Sequence, residues 1–143
     1  MSRKQSREFA MRMLYQIELR GDDDRDEQLE LAFEESERPY SNNDRTYIED
    51  IVRGVFNNLS ELDSLVENHA KGWKLSRIAK IDLSILRLSI YEIKYRDDIP
   101  FNISINEAVE LAKKYGTEES GSFINGILSK AVPAEGDANA GRV

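Results

Sequence analysis

The chain has 143 residues, no cysteine and a formal net charge of -7 at pH 7. This length fits one domain with a single buried core, and the absence of cysteine excludes disulfides, thiolate metal sites and cysteine nucleophiles. No apolar run approaches a membrane span, and no hydrophobic block follows the charged N-terminus as in a signal peptide. The sequence therefore predicts a soluble, cytoplasmic protein.

The charge is unevenly distributed along the chain. Residues 21–38 hold nine acidic and two basic side chains, a balance of -7, whereas residues 1–20 hold five basic and two acidic ones, a local charge of +3. Affinity for phosphates depends on local Lys and Arg, so the total charge does not exclude a nucleic-acid partner.

The first predicted helix has two distinct faces. Its core stripe contains Phe9, Ala10, Met13, Leu14 and Ile17, and Gly21 suits the C-terminal cap. A second column contains Lys4, Glu8, Met11 and Tyr15, with Arg3 and Arg7 beside it. This outer face fits either a solvated surface whose tyrosine partly packs or an RNA contact.

Three further helices are predicted before residue 70. A weak one lies around Leu29 and Phe33, after the run Asp22–Asp26, which we interpret as a solvated acidic turn because it lacks the pattern of a calcium loop. A core helix capped by Asn43 or Asp44 follows, and after a sharp turn Ser60 caps the next. His69, the only histidine, is predicted to lie at the surface or at a helix end.

The second half begins with a connector that contains Trp73, interpreted as a plug between two halves of the fold, with base stacking as the alternative. A long helix over residues 77–95 is apolar on several sides, which predicts that other helices surround it, with Asp82 and Arg87 at its solvent edge. Pro100 ends this helix and begins a short extended connector.

The last two helices form a hairpin. Ser104 and Glu107 match a capping box, Gly116 ends that helix, and a polar turn leads to a final helix that begins near Phe123 and ends at Pro133. Residues 134–143 are predicted to be a disordered tail, which leaves one domain over residues 1–133. The fold class is all-α, with residues up to about 70 in one helical group and the remainder in a second.

Several separated motifs, in order from Lys4 to Ala131, resemble the NusB family of bacterial transcription antitermination factors. The motifs are Arg7-Glu8, Leu14-Tyr15, Ile85-Leu86-Arg87, Tyr91-Glu92, Asp98-Ile99-Pro100, Ile105 to Lys113, and Phe123 to Leu128. The resemblance implies two perpendicular three-helix groups plus a seventh helix, and neither enzyme activity nor a cofactor. It also implies pairing with the ribosomal protein NusE and binding to the boxA element of nascent ribosomal RNA within an RNA polymerase antitermination complex.

The resemblance also implies roles for residues at matching positions. Those expected to contact RNA are Arg3, Lys4, Arg7, Tyr15, Glu119 and Phe123, and those expected to contact NusE are Tyr15, Ser76 and Asp82. The basic N-terminus is thinner than in the family pattern, and Ser76 stands where some relatives carry an acid. From their chemistry, Ser120, Gly121 and Ser122 could bond base edges or a phosphate at the helix N-terminus.

Two questions stay open from sequence alone. Phe123, at the start of an apolar stripe, fits a core position as well as a stacking position. The free protein could be a monomer or a homodimer that masks the RNA face. The alternatives to an RNA-binding factor are a protein-interaction module without direct RNA binding and, more distantly, a metal-dependent synthase that uses the aspartate run.

Overall fold

The computed structural model describes residues 1–132, which form seven α-helices, one 3₁₀ helix and no strand. The helices are α1 Arg3–Arg20, α2 Arg25–Glu34, α3 Asn42–Asn57, α4 Leu59–His69, α5 Lys80–Tyr95, α6 Phe101–Tyr115 and α7 Ser120–Ala131, with the 3₁₀ helix Leu75–Arg77 before α5. The all-α prediction is confirmed. The predicted helix end at Pro133 and the tail 134–143 lie outside the described residues.

Helix α5 is the centre of the fold. Every residue from Asp82 to Ile93 is buried, and the helix packs against α1, α3, α4, α6 and α7. Its apolar residues face in several directions, which is why it must be surrounded by other helices. On α3, Gly54 lies so close to the Tyr91 ring that a Cβ atom would overlap it. The absence of a side chain there lets α3 and α5 approach closely.

The division between the two helical groups differs from the expectation. Helices α1, α2 and α3 pack together, whereas α4 packs mainly on α5 and α7. The chain turns at Asn58, and α4 then buries Leu62 and Val66. The boundary therefore lies near residue 58 rather than residue 70, because the buried face of α4 is turned toward the second group.

Three predicted caps were wrong. Ser60 lies inside α4, whose N-cap is Asn58. The cap of α3 is Ser41, whose hydroxyl accepts from the Asp44 amide at 3.1 Å while Asp44 accepts from the Ser41 amide at 2.8 Å. Helix α6 begins at Phe101, directly after Pro100, so the expected extended connector is helical. Ser104 lies inside this helix, and its hydroxyl donates to Glu92 instead of accepting from the Glu107 amide as a capping box requires.

Buried charged residues tie the central helix to its neighbours. Asp82 and Arg87, expected at a solvent edge, are 9% and 4% exposed. The Arg87 guanidinium donates to both carboxylate oxygens of Asp63, at 2.7 and 2.9 Å, and to Glu18 at 3.0 Å. A guanidinium can be buried in this way because its fork pairs two carboxylates at once. Arg87 thereby joins α5 to α4 and α1.

Two further side chains differ from the prediction. Trp73 is 53% exposed and does not plug a gap, whereas Met11, placed on the outer column of α1, is fully buried. His69 ends α4 as predicted, with Nδ1 2.9 Å from the Leu65 carbonyl oxygen. Within residues 1–132, no helix combines the length and apolar character that a membrane span requires.

Candidate nucleic-acid interface

The first turn of α1 carries two exposed cations. Ser2 caps the helix by accepting from the Gln5 amide at 3.1 Å, which leaves the following side chains at the surface. Arg3 lies 3.8 Å from Asp98, and the Lys4 ammonium lies 3.6 Å from Glu107. Exposed ion pairs of this kind contribute little stability, so both cations are able to exchange a carboxylate for a phosphate.

Arg7 does not belong to this exposed face. Its side chain is 3% exposed, and its Nε donates to Glu92 at 2.8 Å. Burial alone would lower the pKa of Arg7, but Tyr47 and Glu92 raise it above its ordinary value. The structure does not favour the expected contact between Arg7 and a phosphate, because the guanidinium is enclosed and its Nε is paired with Glu92. Arg7 holds α1 against α5.

Glu92 is the centre of a buried polar network that the sequence did not reveal. It is fully buried and accepts hydrogen bonds from Arg7, from the Tyr47 hydroxyl and from the Ser104 hydroxyl at 2.8 Å. The donors belong to α1, α3 and α6. A buried carboxylate needs such partners, because an unpaired one would carry a large desolvation cost. The network fixes how α1 is placed on the other helices.

A second set of contacts joins α1 to the end of α6. The carboxylate of Glu8 accepts from the Tyr115 hydroxyl and from the Lys114 ammonium at 2.9 Å. Burial alone would raise the pKa of Glu8, but these two donors lower it below its ordinary value. These contacts hold the end of α6 against α1, and Gly116 and the turn that leads to α7 continue from there.

The turn and the first residues of α7 differ in accessibility. Glu119 and Ser122 are exposed, whereas Ser120 is 2% exposed. The Ser120 hydroxyl donates to Asp82 at 3.2 Å and accepts from the Thr117 amide at 2.9 Å. The structure does not favour the expected base contact by the Ser120 side chain, because the hydroxyl is buried and bonded to Asp82 and Thr117.

Helix α7 starts without a side-chain cap among the described residues. The amides of Gly121 and Ser122, in its first turn, have no acceptor within the helix and give this end a partial positive charge. Phe123 is half-buried and packs on the core cluster. One part of its ring therefore supports the helix start, and the rest stays accessible.

The side chains expected to meet a protein partner fall in two places. Tyr15 lies in a groove of about 1000 Å³ that also contains Ile81 and Tyr115. Asp82 directly follows Ile81; its Oδ1 is buried and has no hydrogen-bond partner among the described residues, and burial raises its pKa. Ser76 is exposed on the 3₁₀ helix and does not line the groove.

Arg12 is a candidate functional residue that the sequence did not single out. It is exposed and lies in the same groove as Tyr15, one helical turn after Glu8. The helical arithmetic that placed Lys4 and Tyr15 on one face places Arg12 beside them. The helical spacing of α1 therefore carried a signal that identifies Arg12.

The described residues contain no group of three or more His, Cys, Asp or Glu side chains that could hold a metal ion. The run Asp22–Asp26 includes the exposed turn before α2, and among these acids Asp26 lies 3.6 Å from Arg53. This arrangement fits a solvated acidic turn.

Comparisons with known proteins agree with this architecture. The sequence model of the NusB family matches residues 4–133. The transcription antitermination protein NusB of Acetivibrio thermocellus is 58% identical over 132 residues, which cover 92% of this chain and 89% of the relative. The solved structure of T. maritima NusB superposes with a TM-score of 0.88 at 32% identity, covering 100% of this chain and 99% of that one.

A third comparison concerns a complex. A crystal structure of the antitermination factors NusB and NusE with double-stranded RNA contains a chain that superposes with a TM-score of 0.81 at 27% identity, covering 94% of this chain and 99% of that one. The family match and the relative at 58% identity each span most of the sequence. This chain belongs to the NusB family.

Proposed function

We propose that this protein is a transcription antitermination factor that binds the single-stranded boxA element of nascent ribosomal RNA and pairs with NusE. The observation that carries the proposal is the junction of two surfaces: the exposed cations of α1 and the uncapped start of α7, joined through Glu8, Lys114 and Tyr115. Relatives that share the fold bear the name of antitermination proteins, and one is solved with NusE and RNA.

Single-stranded RNA offers phosphates and bases, and different residues of this surface are proposed to bind each of them. Phosphates are held by cations, which Arg3 and Lys4 supply on α1. The amides of Gly121 and Ser122 favour an anion at the start of α7. A base can stack on the accessible part of Phe123.

Glu119 would repel a phosphate, but its exposed carboxylate can accept from the amino group of a base. This combination gives binding that depends on salt through the cations and on base identity through the turn. The proposed RNA surface therefore uses both helices: α1 supplies Arg3 and Lys4, and the start of α7 supplies the free amides and Phe123.

NusE is proposed to dock at the groove that holds Tyr15 and Ile81, next to Asp82. Asp82 directly follows Ile81 of this groove, and its carboxylate is proposed to act on NusE through its negative charge and not through the buried Oδ1. The protein is proposed to act in the cytoplasm within the RNA polymerase antitermination complex, without catalytic activity of its own.

The proposal is tested by fluorescence anisotropy titrations with a labelled boxA RNA and a scrambled RNA of the same composition, each with and without NusE. We expect preferential binding to boxA and tighter binding when NusE is present. Absence of binding to either RNA at low salt, with or without NusE, would refute the proposal. Salt-insensitive binding to NusE without RNA binding would instead support a protein-interaction module.

The role of Phe123 is tested separately. The Phe123→Ala variant should lose about 1 to 3 kcal/mol of RNA affinity, which is the usual contribution of one stacked base. Urea denaturation of the same variant is the control, since Phe123 also packs on the core. If the loss appears only in the free energy of unfolding, Phe123 is a core residue and does not read RNA.

A further inference from the structure

The turn after α4 presents an aromatic side chain to solvent. Trp73, the only tryptophan of the chain, is 53% exposed. Lys71 and Gly72 both adopt a positive φ, of 36° and 82°, and the Trp73 amide donates to the Ala70 carbonyl at 3.1 Å. This tight turn holds the indole at the surface, although a tryptophan is usually well buried in a folded protein.

Three lysines surround this turn without acidic partners. Lys71, Lys74 and Lys130 are exposed, and within residues 1–132 none has a carboxylate at ion-pair distance. Lys71 lies so close to Lys130 that their like charges lower the pKa of Lys130. Glu67, the nearest acid before the turn, accepts from the Leu75 amide at 3.1 Å. Lys71, Lys74 and Lys130 together outnumber this one carboxylate, so the turn is locally basic although the whole chain is acidic.

Helix α7 links the two regions, because Phe123 lies near its start and Lys130, which neighbours Lys71, lies near its end. No acidic residue occurs between Ser120 and Ala131, and the exposed face consists of Ser122, Asn125, Gly126, Ser129 and Lys130. Phe123 and Lys130 are seven residues apart, which places them on nearly the same side of the helix and about 10 Å apart along its axis. A strand of RNA that leaves Phe123 could therefore follow the helix to the lysines.

Gly126 gives an independent indication of a close approach. It is exposed in the middle of α7, where glycine destabilises a helix relative to alanine. A Cβ atom at this position would meet no atom within 4 Å, so packing within the described residues does not require a glycine. The absence of a side chain leaves room for an external ligand to lie directly on the helix backbone.

We propose that Trp73, the three lysines and the exposed face of α7, together called the tryptophan surface, bind single-stranded RNA that flanks boxA. One flanking base stacks on Trp73, and the lysines contact the adjacent phosphates. Stacking on an aromatic ring combined with nearby cations is the usual way in which proteins hold single strands without reading their sequence. This inference rests on the proposed function, because it extends the same RNA path beyond the start of α7.

The charge of this surface favours RNA over a protein occupant. Lys71 and Lys74 flank Trp73 in the turn, and the exposed face of α7 carries no carboxylate, a pattern suited to a polyanion with stackable groups. The Lys71–Lys130 repulsion would be relieved by a phosphate placed between the two ammonium groups.

The test compares labelled boxA alone with labelled boxA that is extended by a run of uridines, at its 5′ end in one RNA and at its 3′ end in another. We expect Trp73→Ala to weaken binding of an extended RNA by roughly 5-fold to 150-fold, which corresponds to one stacked base, and to leave boxA alone unaffected. Trp73→Phe should retain most of the affinity, because an aromatic face remains. Leu31→Ala, which removes another exposed apolar side chain, is the matched control and should change neither affinity.

Two further readouts separate RNA contact from folding effects. Because Trp73 is the only tryptophan, its intrinsic fluorescence should be quenched by the extended RNA but not by boxA alone. Gly126→Ala should stabilise the helix against urea yet weaken binding of the extended RNA, a combination that a purely structural effect would not produce.

The outcomes distinguish this inference from the proposed function. If neither RNA binds the wild-type protein, the proposed function fails, and this inference fails with it. If boxA alone binds but neither extension quenches Trp73 nor depends on it, only this inference is overturned. A loss of NusE affinity in Trp73→Ala, with unchanged affinity for both RNAs, would also overturn it, because the surface would then hold a protein.

Discussion

Replacing Arg7 by methionine tests whether this residue is structural, as its burial indicates, or part of the RNA surface. The guanidinium is 3% exposed and donates to the fully buried Glu92 at 2.8 Å. Methionine keeps much of the side-chain volume but removes the charge, which leaves the carboxylate with only hydroxyl donors from Tyr47 and Ser104. Removal of one partner from a buried ion pair costs about 3 to 5 kcal/mol.

Such a loss is large against the total stability of a domain, about 5 to 15 kcal/mol. Urea denaturation monitored by far-ultraviolet circular dichroism should therefore show a clearly lower transition midpoint for Arg7→Met. The matched control is Lys4→Met on the same helix: the Lys4 side chain is 64% exposed, so its loss should cost less than about 1 kcal/mol. The Arg7→Met/Glu92→Gln double variant should be less destabilised than the sum of the two single variants.

The same variant gives a second readout in RNA binding. Under conditions where Arg7→Met remains folded, the slope of log affinity against log salt should equal that of the wild type, because no phosphate contact has been removed. If Arg7→Met is no less stable than Lys4→Met, and its salt slope falls instead, the structural role assigned to Arg7 is refuted.

Three other variants test separate parts of the structure. Lys4→Ala should reduce the magnitude of the salt slope for boxA binding by about 0.7, the effect of one single-strand phosphate contact; an unchanged slope would remove Lys4 from the RNA surface. Gly54→Ala should lower the free energy of unfolding by about 1 to 3 kcal/mol in urea, because its methyl group would overlap the Tyr91 ring. Burial raises the pKa of Asp82 in the folded state, so the free energy of unfolding falls as pH rises through that pKa and the carboxyl ionises. Asp82→Asn can still accept from Ser120 but cannot ionise. Urea titrations at several pH values should therefore show a smaller loss of stability with rising pH for this variant. An Asp82→Asn variant with the wild-type pH dependence would contradict this reasoning.

The helices themselves were largely predictable because their signals are local. The period of apolar residues identified α1, α3 and α5, and the apolar character of α5 on several sides predicted its central position. Gly21, with a φ of 100°, ends α1 as predicted, since a left-handed residue after a helix favours glycine.

The polar contacts were not predictable, because they depend on partners far away in the sequence. Arg7 and Glu92 are 85 residues apart, and on a helical wheel Arg7 belongs to the basic face of α1. Ser104 and Glu107 have the spacing of a capping box, but Ser104 donates to Glu92 and Glu107 pairs with Lys4. Spacing alone does not separate a cap from the second turn of a helix whose polar side chains meet other helices.

The resemblance predicted the residues of the candidate RNA surface, but some of them are buried in the structure. Lys4 and Glu119 remain exposed, whereas Arg7 and Ser120 face the interior. Exposure depends on how α1 and α7 pack on α5, which the sequence pattern of each helix does not specify. Arg12, in contrast, could have been found from the pattern, because it lies on the same face as Tyr15.

The most direct test of the RNA surface is a chemical-shift map of isotope-labelled protein during titration with boxA RNA. We expect the largest amide shifts in the first turn of α1, in the turn that contains Glu119, and at Gly121 to Phe123. Residues of α2, which carries four acidic side chains and one basic side chain and would repel RNA, should not shift. Shifts confined to α2, or no shifts at RNA concentrations that saturate binding, would contradict the account.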